Sequence, residues 1–578
     1  MSKEIDVESK SAADLGEVTV EVVGAGDYYD VDSDGVPIDV HTHLRDGVRR
    51  KLKPRHAQMI ALAGAIGTGL FLGSGKAISH AGPAGALLAY ATIGSLVWAM
   101  IWSLGEMMCF APVSGGYIHF VERYVHPSFG FAIGPSFTGY MQWYSAALSL
   151  PSELIAASII IGFWTEMTAA KTAGFLVMLI VLSVSISFLG VRAFGEAEFF
   201  FSWLKIFLIL GLILAGLVVD LGGGPNHERI GFRYWKDPGA LVQPHDIFSS
   251  ALTSISSFAP YIVTGSIGKF CGWFYTLVQA AYSFGGIESI AMTGGEMENP
   301  RVNTAKAVRK LFYRIFVFYV LGVLIAGMLV PYNDSSLLKS TGNAAQSPFV
   351  LAFTRAGVKV LPSVINAGVL CSAWSTANQN IYSGSRMLYG LALRGQAPKF
   401  FAKTTKGGLP LPSVALISCF ALLSFMTLSS EAVTVLNWLN NLTSIAQFFT
   451  WGGILVAFIR WKSAMDSQGR DRSASPYLYL KIQPLPAYYG LAWCAIIIFF
   501  NGFYVFIRGN WTVSNFIISY INIPIFLGLV LGHWLSTGRP GFKAPVKIDL
   551  VSNIPGPEVD VDPNPPTTRL GRFWVWLL

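Results

Sequence analysis

Glu153, Lys205 and Glu288 each stand inside a long run of apolar residues. A charge at membrane depth costs at least ~2.5 kcal/mol, so such a residue is a functional candidate by default. An amine or carboxyl group desolvated in an apolar span can gain and lose a proton during a working cycle. Glu106 and Lys76 sit nearer the ends of apolar runs. A long side chain there reaches the headgroups, so both read as interfacial.

Glycines accompany the charges. One run reads Gly64-Ala-Ile66-Gly67-Thr68-Gly69-Leu-Phe-Leu-Gly73-Ser-Gly75, and another Tyr282-Ser283-Phe284-Gly285-Gly286-Ile287-Glu288. Glycine weakens a helix by roughly 1 kcal/mol against alanine, so a cluster at mid-span reads as a deliberate break. A break at that depth is tolerable only where the freed N–H and C=O groups meet a cavity or a ligand. Freed amides suit a carboxylate and freed carbonyls an ammonium; a zwitterion presents both. Close helix packing is the competing use of span glycines. A dinucleotide site is excluded, because Gly67-x-Gly69-x-x-x-Gly73 has the wrong spacing and follows no strand.

The elements that must position these residues are membrane spans. The 578 residues are 53% hydrophobic and only 13% charged, about half the charge of a soluble domain. Runs long enough for a bilayer core occur at 58–79, 84–110, 131–163, 172–191, 197–221, 270–296, 315–333, 360–384, 413–430, 435–459, 487–507 and 514–536. The sequence thus predicts an all-α membrane protein with twelve transmembrane helices. The two glycine clusters each open a five-helix half, 58–221 and 270–459, which is the pointer to inverted repeats; spans 11 and 12 (487–536) follow. No N-terminal run carries a signal-peptide cleavage site. Residues 1–44 hold eleven Asp or Glu against Lys3 and Lys10, so 1–55 is expected to be a disordered acidic tail. Residues 537–578 form the other tail.

The net charge of +8 is a matter of topology. Arg45, Arg49, Arg50, Lys51, Lys53 and Arg55 precede the first span, and loops 6–7, 8–9 and 10–11 carry five cations each, placing both termini in the cytoplasm. Segment 247–268 is apolar enough to mimic a span, yet a thirteenth crossing would turn three basic loops outward; it is placed in an outer loop or along the surface. No nucleic-acid partner is expected. Five cysteines make no disulfide framework, and His41 and His43 have no ligand cluster, so neither a metal nor an organic cofactor is expected.

Several motifs together resemble the fungal amino-acid permeases, the yeast amino acid transporter family within the amino acid–polyamine–organocation superfamily. They are Ile66-Gly-Thr-Gly-Leu-Phe71, Gly105-Glu-Met with Pro112-x-x-Gly-Gly116, Leu150-Pro-Ser-Glu-Leu154, Arg229-Ile-Gly-Phe-Arg-Tyr-Trp-Lys-Asp-Pro-Gly239, Phe284-Gly-Gly-Ile-Glu288, Gly295-Glu-Met-Glu-Asn-Pro-Arg301 and Ser385-Arg-Met-Leu-Tyr389. The resemblance runs from about residue 50 to the end. It implies a leucine-transporter-like 5+5 inverted repeat plus two helices, and a plasma-membrane symporter importing amino acids with protons. By resemblance, Gly67, Thr68 and Gly69, after Ile66, offer amides to the substrate carboxylate. Phe284, Gly285 and Gly286, between Ser283 and Ile287, offer carbonyls to its ammonium, and Tyr282 aligns with a gating aromatic. Glu153, Lys205 and Glu288 then serve proton or substrate binding, and Lys3 and Lys10 face ubiquitin-ligase machinery. Span 10, Asn437 to Ser444, helps set the substrate range.

Two segments depart from the family pattern, roughly 135–142 and 244–265. Both are in frame and poor in charge, compatible with genuine insertion and with translated introns. The first lengthens or kinks the span that carries Glu153. An amino-acid sensor on the same fold is the rival reading. An enzyme is the distant third, since the spans hold no nucleophile–base pair.

Overall fold

A computed structural model describes residues 29–31, 37–39, 67–111, 117–125, 137–188, 191–242, 265–291, 300–334, 347–393, 397–405, 408–429, 432–474, 477–507, 511–536 and 543–551, with Leu337, Gly395 and Thr568 beside them. The chain divides into Met1–Arg49 and Arg50–Leu578. The tail expected to lack structure contains one exception in the first unit. There β1 (Tyr29–Val31) pairs antiparallel with β2 (Pro37–Asp39), Tyr29 opposite Asp39.

The second unit is helical among the described residues. Its α-helices are α1 (Thr68–Phe71), α2 (Gly73–Phe110), α3 (Tyr117–Tyr124), α4 (Phe137–Ile161), α5 (Ala169–Phe188), α6 (Val191–Asp220), α7 (Gly265–Ser283), α8 (Pro300–Leu329), α9 (Pro348–Arg355), α10 (Leu361–Leu393), α11 (Leu411–Phe420), α12 (Ala432–Ser467), α13 (Leu485–Phe500), α14 (Val513–Tyr520) and α15 (Asn522–Ser536). Eight helical stretches among them are long and apolar enough to cross a membrane, nine if the bent pair α14–α15 counts as one span. The three other expected runs fall where the helix is broken or polar. The run 58–79 is described from Gly67, whose backbone is extended, and its second half lies in α1 and the start of α2. The run 270–296 is interrupted after Ser283. The run 360–384 lies in α10, which buries Asn366, Ser372, Ser375, Thr376, Asn378 and Gln379.

Gly82 marks the boundary between the two expected spans inside α2. Its φ of 77° is left-handed, Pro83 restarts the helix, and a Cβ there would lie 2.7 Å from the Ala240 carbonyl. Ala84 N–H donates to that carbonyl at 2.9 Å. Segment 247–268 is described only at its end, where Gly265–Gly268 form the first turn of α7 rather than a loop; residues 243–264 and 135–136 lie outside the described residues.

α4 packs between α10 and α12, and α2 against α7 and α8. α6 shows how the sequence sorts its faces. Phe200, Phe207 and Leu214, seven apart, are 62–66% exposed, whereas Glu198, Ser202, Lys205, Ile209 and Leu212 are buried. An exposed apolar stripe opposite a buried polar one suits a helix whose outer solvent is lipid.

Candidate functional site

The first glycine cluster opens on extended backbone at Gly67 (φ −115°, ψ −161°) just before α1, the second breaks the chain after α7, and the two segments cross. α1 and α2 are separated by Leu72 alone, whose own backbone is helical. α7 ends at Ser283, residues 284–286 turn, and Gly286 takes a left-handed φ of 86° before a 3₁₀ turn at Ile287–Ser289. A Cβ on Gly69 would lie 2.7 Å from Ser283 Cα and 3.0 Å from its nitrogen, so only glycine lets the two backbones touch. The crossing is buttressed. Tyr319 Oη donates to the Ser283 carbonyl at 2.6 Å, Tyr90 Oη lies 2.9 Å from Ser283 Oγ, and Ser347 Oγ donates to the Phe71 carbonyl at 3.0 Å. Those hydroxyls take up polar groups that the breaks leave free.

Beside the crossing lies a cavity lined by polar side chains and by backbone of both glycine clusters. Gly67, Gly69, Tyr282, Ser283, Gly285 and Gly286 line it from the breaks, with Glu153 and Glu288 on either side. Tyr282 Oη donates to Glu153 Oε1 at 3.0 Å, and Thr68 bonds the same carboxylate. Gln142 Nε2 donates to Glu288 Oε1 at 2.8 Å and Trp451 Nε1 to Oε2 at 3.2 Å. Glu153 and Glu288 are both buried. Lys205 stands behind the wall. Its Nζ donates to Thr376 Oγ1 at 3.1 Å, and Thr376 lines the cavity. A Cβ on Gly67 would lie 3.2 Å from Glu153 Oε1 and 3.3 Å from Thr376 Oγ1, which places carboxylate and hydroxyl together.

The lining is short of partners. Gln142 Oε1, Glu153 Oε2, Gln379 Oε1, Thr443 Oγ1 and Gln447 Nε2 are buried with no hydrogen-bond partner in the protein, and all five residues line this cavity. A buried polar atom left unpaired costs about 1–3 kcal/mol. Three of the five only accept and the amide nitrogen only donates, so the cavity suits a ligand that brings both donors and acceptors.

Some expectations shift. Phe284 and Ile287 are buried in the core, Phe284 4.6 Å from the Tyr319 ring, and neither lines the cavity; they anchor the broken segment. Thr68 is buried as well, and Ile66 lies outside the described residues. Glu106 is no headgroup residue. It is 3% exposed, paired with Arg472 at 2.5 Å and bonded by the Leu480 amide at 3.0 Å, tying α2 to the segment before α13. Lys76 likewise turns inward, its Nζ 3.0 Å from Asn437 Oδ1 and over the Tyr275 ring, because α12 offers a nearer polar partner than the interface. From the expected span 10 stretch, Thr443 reaches the cavity and Asn440 accepts from Ser152. Sequence reasoning missed Gln142, Thr376, Gln379 and Glu198. Neutral amides and hydroxyls carry no signal in a span, but Glu198 lies seven residues before Lys205 and shared its face legibly.

The comparisons agree with this architecture. The amino acid permease family model matches residues 56–541. The chain is 38% identical to a proline-specific permease of Emericella nidulans over 93% of its own length and 94% of the relative's. It is 38% identical to the dicarboxylic amino acid permease of Saccharomyces cerevisiae over 86% and 78%, and 34% identical to the general amino-acid permease of that yeast over 89% and 84%. Among solved structures, a mutant manganese transporter of Eremococcus coleocola shares the fold at a TM-score of 0.50 and 14% identity, over 83% of this chain and 92% of that one. Its relatives are permeases, not enzymes, and its apolar helices make it an integral membrane protein: the chain belongs to the amino acid permease family.

Proposed function

We propose that this chain is a secondary active carrier that imports amino acids across the plasma membrane by proton symport. The observation that carries it is the cavity where the two glycine clusters cross, lined by two buried carboxylates and by buried polar atoms that have no partner in the protein. The amides from Gly67 to Gly69 take the substrate carboxylate. Carbonyls of Gly285 and Gly286 take its ammonium, with Glu153 Oε2 as a further acceptor, and Tyr282 closes over it. Glu153, Lys205 and Glu288 carry the coupling; the co-transported proton stands where a cofactor would.

The architecture in this reading is twelve spans, a leucine-transporter-like 5+5 inverted repeat followed by two helices, with both termini cytoplasmic. The basic loops support that orientation. Membrane lipid is the outer solvent, and Lys3 and Lys10 on the acidic tail are the sites at which ubiquitin ligases act. Uptake of a labelled amino acid by cells expressing the chain, against a panel of unlabelled competitors, tests the reading. Saturable uptake that rises as external pH falls is expected. Surface-expressed protein with no uptake of any amino acid would overturn it in favour of a sensor.

A further inference from the structure

Glu198 and Lys205 lie two turns apart on the buried face of α6, about 10 Å along its axis at 1.5 Å per residue. Both side chains reach adjacent residues of α10. Ser375 Oγ donates to Glu198 Oε2 at 2.9 Å, and Lys205 Nζ donates to Thr376 Oγ1 at 3.1 Å. Lys205 interacts electrostatically with Glu198 on one side and Glu153 on the other. Glu153 lines the cavity; Glu198 does not. The arrangement is a buried row of carboxylate, amine and carboxylate, beginning at the cavity and ending behind it.

The charge of that row decides what it can do. With both carboxylates ionised and the amine protonated it carries one net negative charge; one further proton makes it neutral. Buried unbalanced charge is expensive at membrane depth. The row is therefore built to accept a single proton and to return it. Other titratable groups on the elements packed around it are Tyr282 of α7 and Tyr319 of α8, both buried phenols, while Lys171, Glu196 and Arg355 are exposed at helix ends. One turn before Glu198, Phe194 stacks on Tyr382 at 4.2 Å, and Arg386 caps that ring at 3.6 Å. This layer lies between Glu198 and the start of α6.

We propose that Glu198 is the inner proton acceptor of the carrier, receiving from Lys205 the proton that Glu153 takes up at the cavity. The assignment rests on the proton-symport reading and on its orientation, in which α6 runs from the cytoplasmic side outward. With the extra proton on Glu153, an N–H bond of the Lys205 ammonium breaks as an O–H bond forms on Glu198; the O–H bond of the Glu153 carboxyl then breaks as an N–H bond re-forms on the Lys205 amine. Glu198 releases its proton to cytoplasmic water once the Phe194–Tyr382 layer parts. Each step moves one proton and leaves the donor with its bonding pair. Glu198 is a coupling residue that touches no substrate, so its loss spares steps that need no net proton movement.

The test uses purified full-length protein in proteoliposomes, comparing exchange of labelled for unlabelled amino acid with accumulation under an inward proton gradient. In the Glu198→Gln variant, exchange is expected to persist while accumulation falls to equilibration, and Glu198→Asp should restore part of it. Ser375→Ala, which removes only the hydroxyl on Glu198, should shift the pH profile of accumulation and leave exchange in place; it decides the matter if the glutamine variant is not recovered folded. Wild-type accumulation and pH profile in Glu198→Gln and Ser375→Ala would overturn the assignment. Loss of exchange together with accumulation in folded protein would also overturn it, by making Glu198 a structural counter-charge. Wild-type protein that exchanges but never accumulates would instead sink the symport reading itself.

Discussion

Tyr282 Oη donates to Glu153 Oε1 at 3.0 Å, so the last turn of α7 is held to the middle of α4 by a hydrogen bond inside the cavity. Ser152 lies 3.1 Å from the same phenol and bonds Asn440 of α12. Tyr282 thereby ties the broken helix to α4, and Ser152 carries the link on to α12. In the proposed binding mode, a substrate ammonium at Glu153 competes with this phenol.

Tyr282→Phe removes that link and leaves Glu153 without one of its donors. Loss of a hydrogen bond to a buried charged group is worth about 1.5–3 kcal/mol, on the order of ten-fold or more in an equilibrium constant. Uptake per surface molecule should fall by about that factor while surface abundance stays near wild type. Quantifying both in the same cells checks it; wild-type uptake would show the bond to be idle.

Gly69→Ala should abolish uptake, because its methyl group would sit 2.7 Å from Ser283 Cα, and backbone cannot move aside as a flexible side-chain tip can. Gly67→Val should do the same by filling the space beside Glu153 and Thr376. Gly174→Ala is the control: nothing lies within 4 Å of its Cβ position on α5, so uptake should be unchanged. Transport by the Gly69 variant at the control's rate would place the substrate elsewhere.

Gln142→Leu tests the segment that departs from the family pattern. Gln142 donates to Glu288 Oε1 at 2.8 Å, and leucine would remove that donor from a buried carboxylate, again about 1–3 kcal/mol. Substrate affinity should weaken by roughly ten-fold. A direct binding measurement on purified protein reads it, and an unchanged Kd would mean the segment contributes nothing to the site.

Another prediction concerns residues 543–551. Their main-chain carbonyls are gripped by Arg460 at Lys543, by Gln468 at Ile548 (2.7 Å), by Arg123 at Asp549 (2.8 Å) and by Arg470 at Leu550 (2.9 Å). Ile548 and Leu550 are 1–2% exposed within the main core. Burying an isoleucine is worth about 1.5–3 kcal/mol, and Ile548→Asp adds a buried charge to that loss. The detergent-solubilised variant should melt at a lower temperature, while Ile548→Leu melts near wild type; equal Tm values for aspartate and leucine would show the strap to be loose.

Much of this arrangement was legible beforehand. The apolar runs at 172–191 and 435–459 lie within α5 and α12 to a few residues at most, because length and hydropathy suffice for a span. The helix breaks were readable because glycine clusters have few other uses beside a buried carboxylate. What the sequence withheld was partnership. Periodicity places Glu106 near a helix end, yet only the fold brings Arg472, 366 positions away, to meet it. Likewise Gln142 and Thr376 reach the cavity only because α4 packs against α10, a long-range fact that no local pattern encodes.

The central claim is that the cavity at the Gly69–Ser283 crossing carries amino acids inward with protons. Its most direct test is accumulation of a labelled amino acid by proteoliposomes holding only this protein, with the lumen made alkaline. Concentration above the outside level is expected, collapsing to equilibration when a protonophore is added and absent in Gly69→Ala. Accumulation that ignores the protonophore, or uptake by Gly69→Ala equal to wild type, would contradict it.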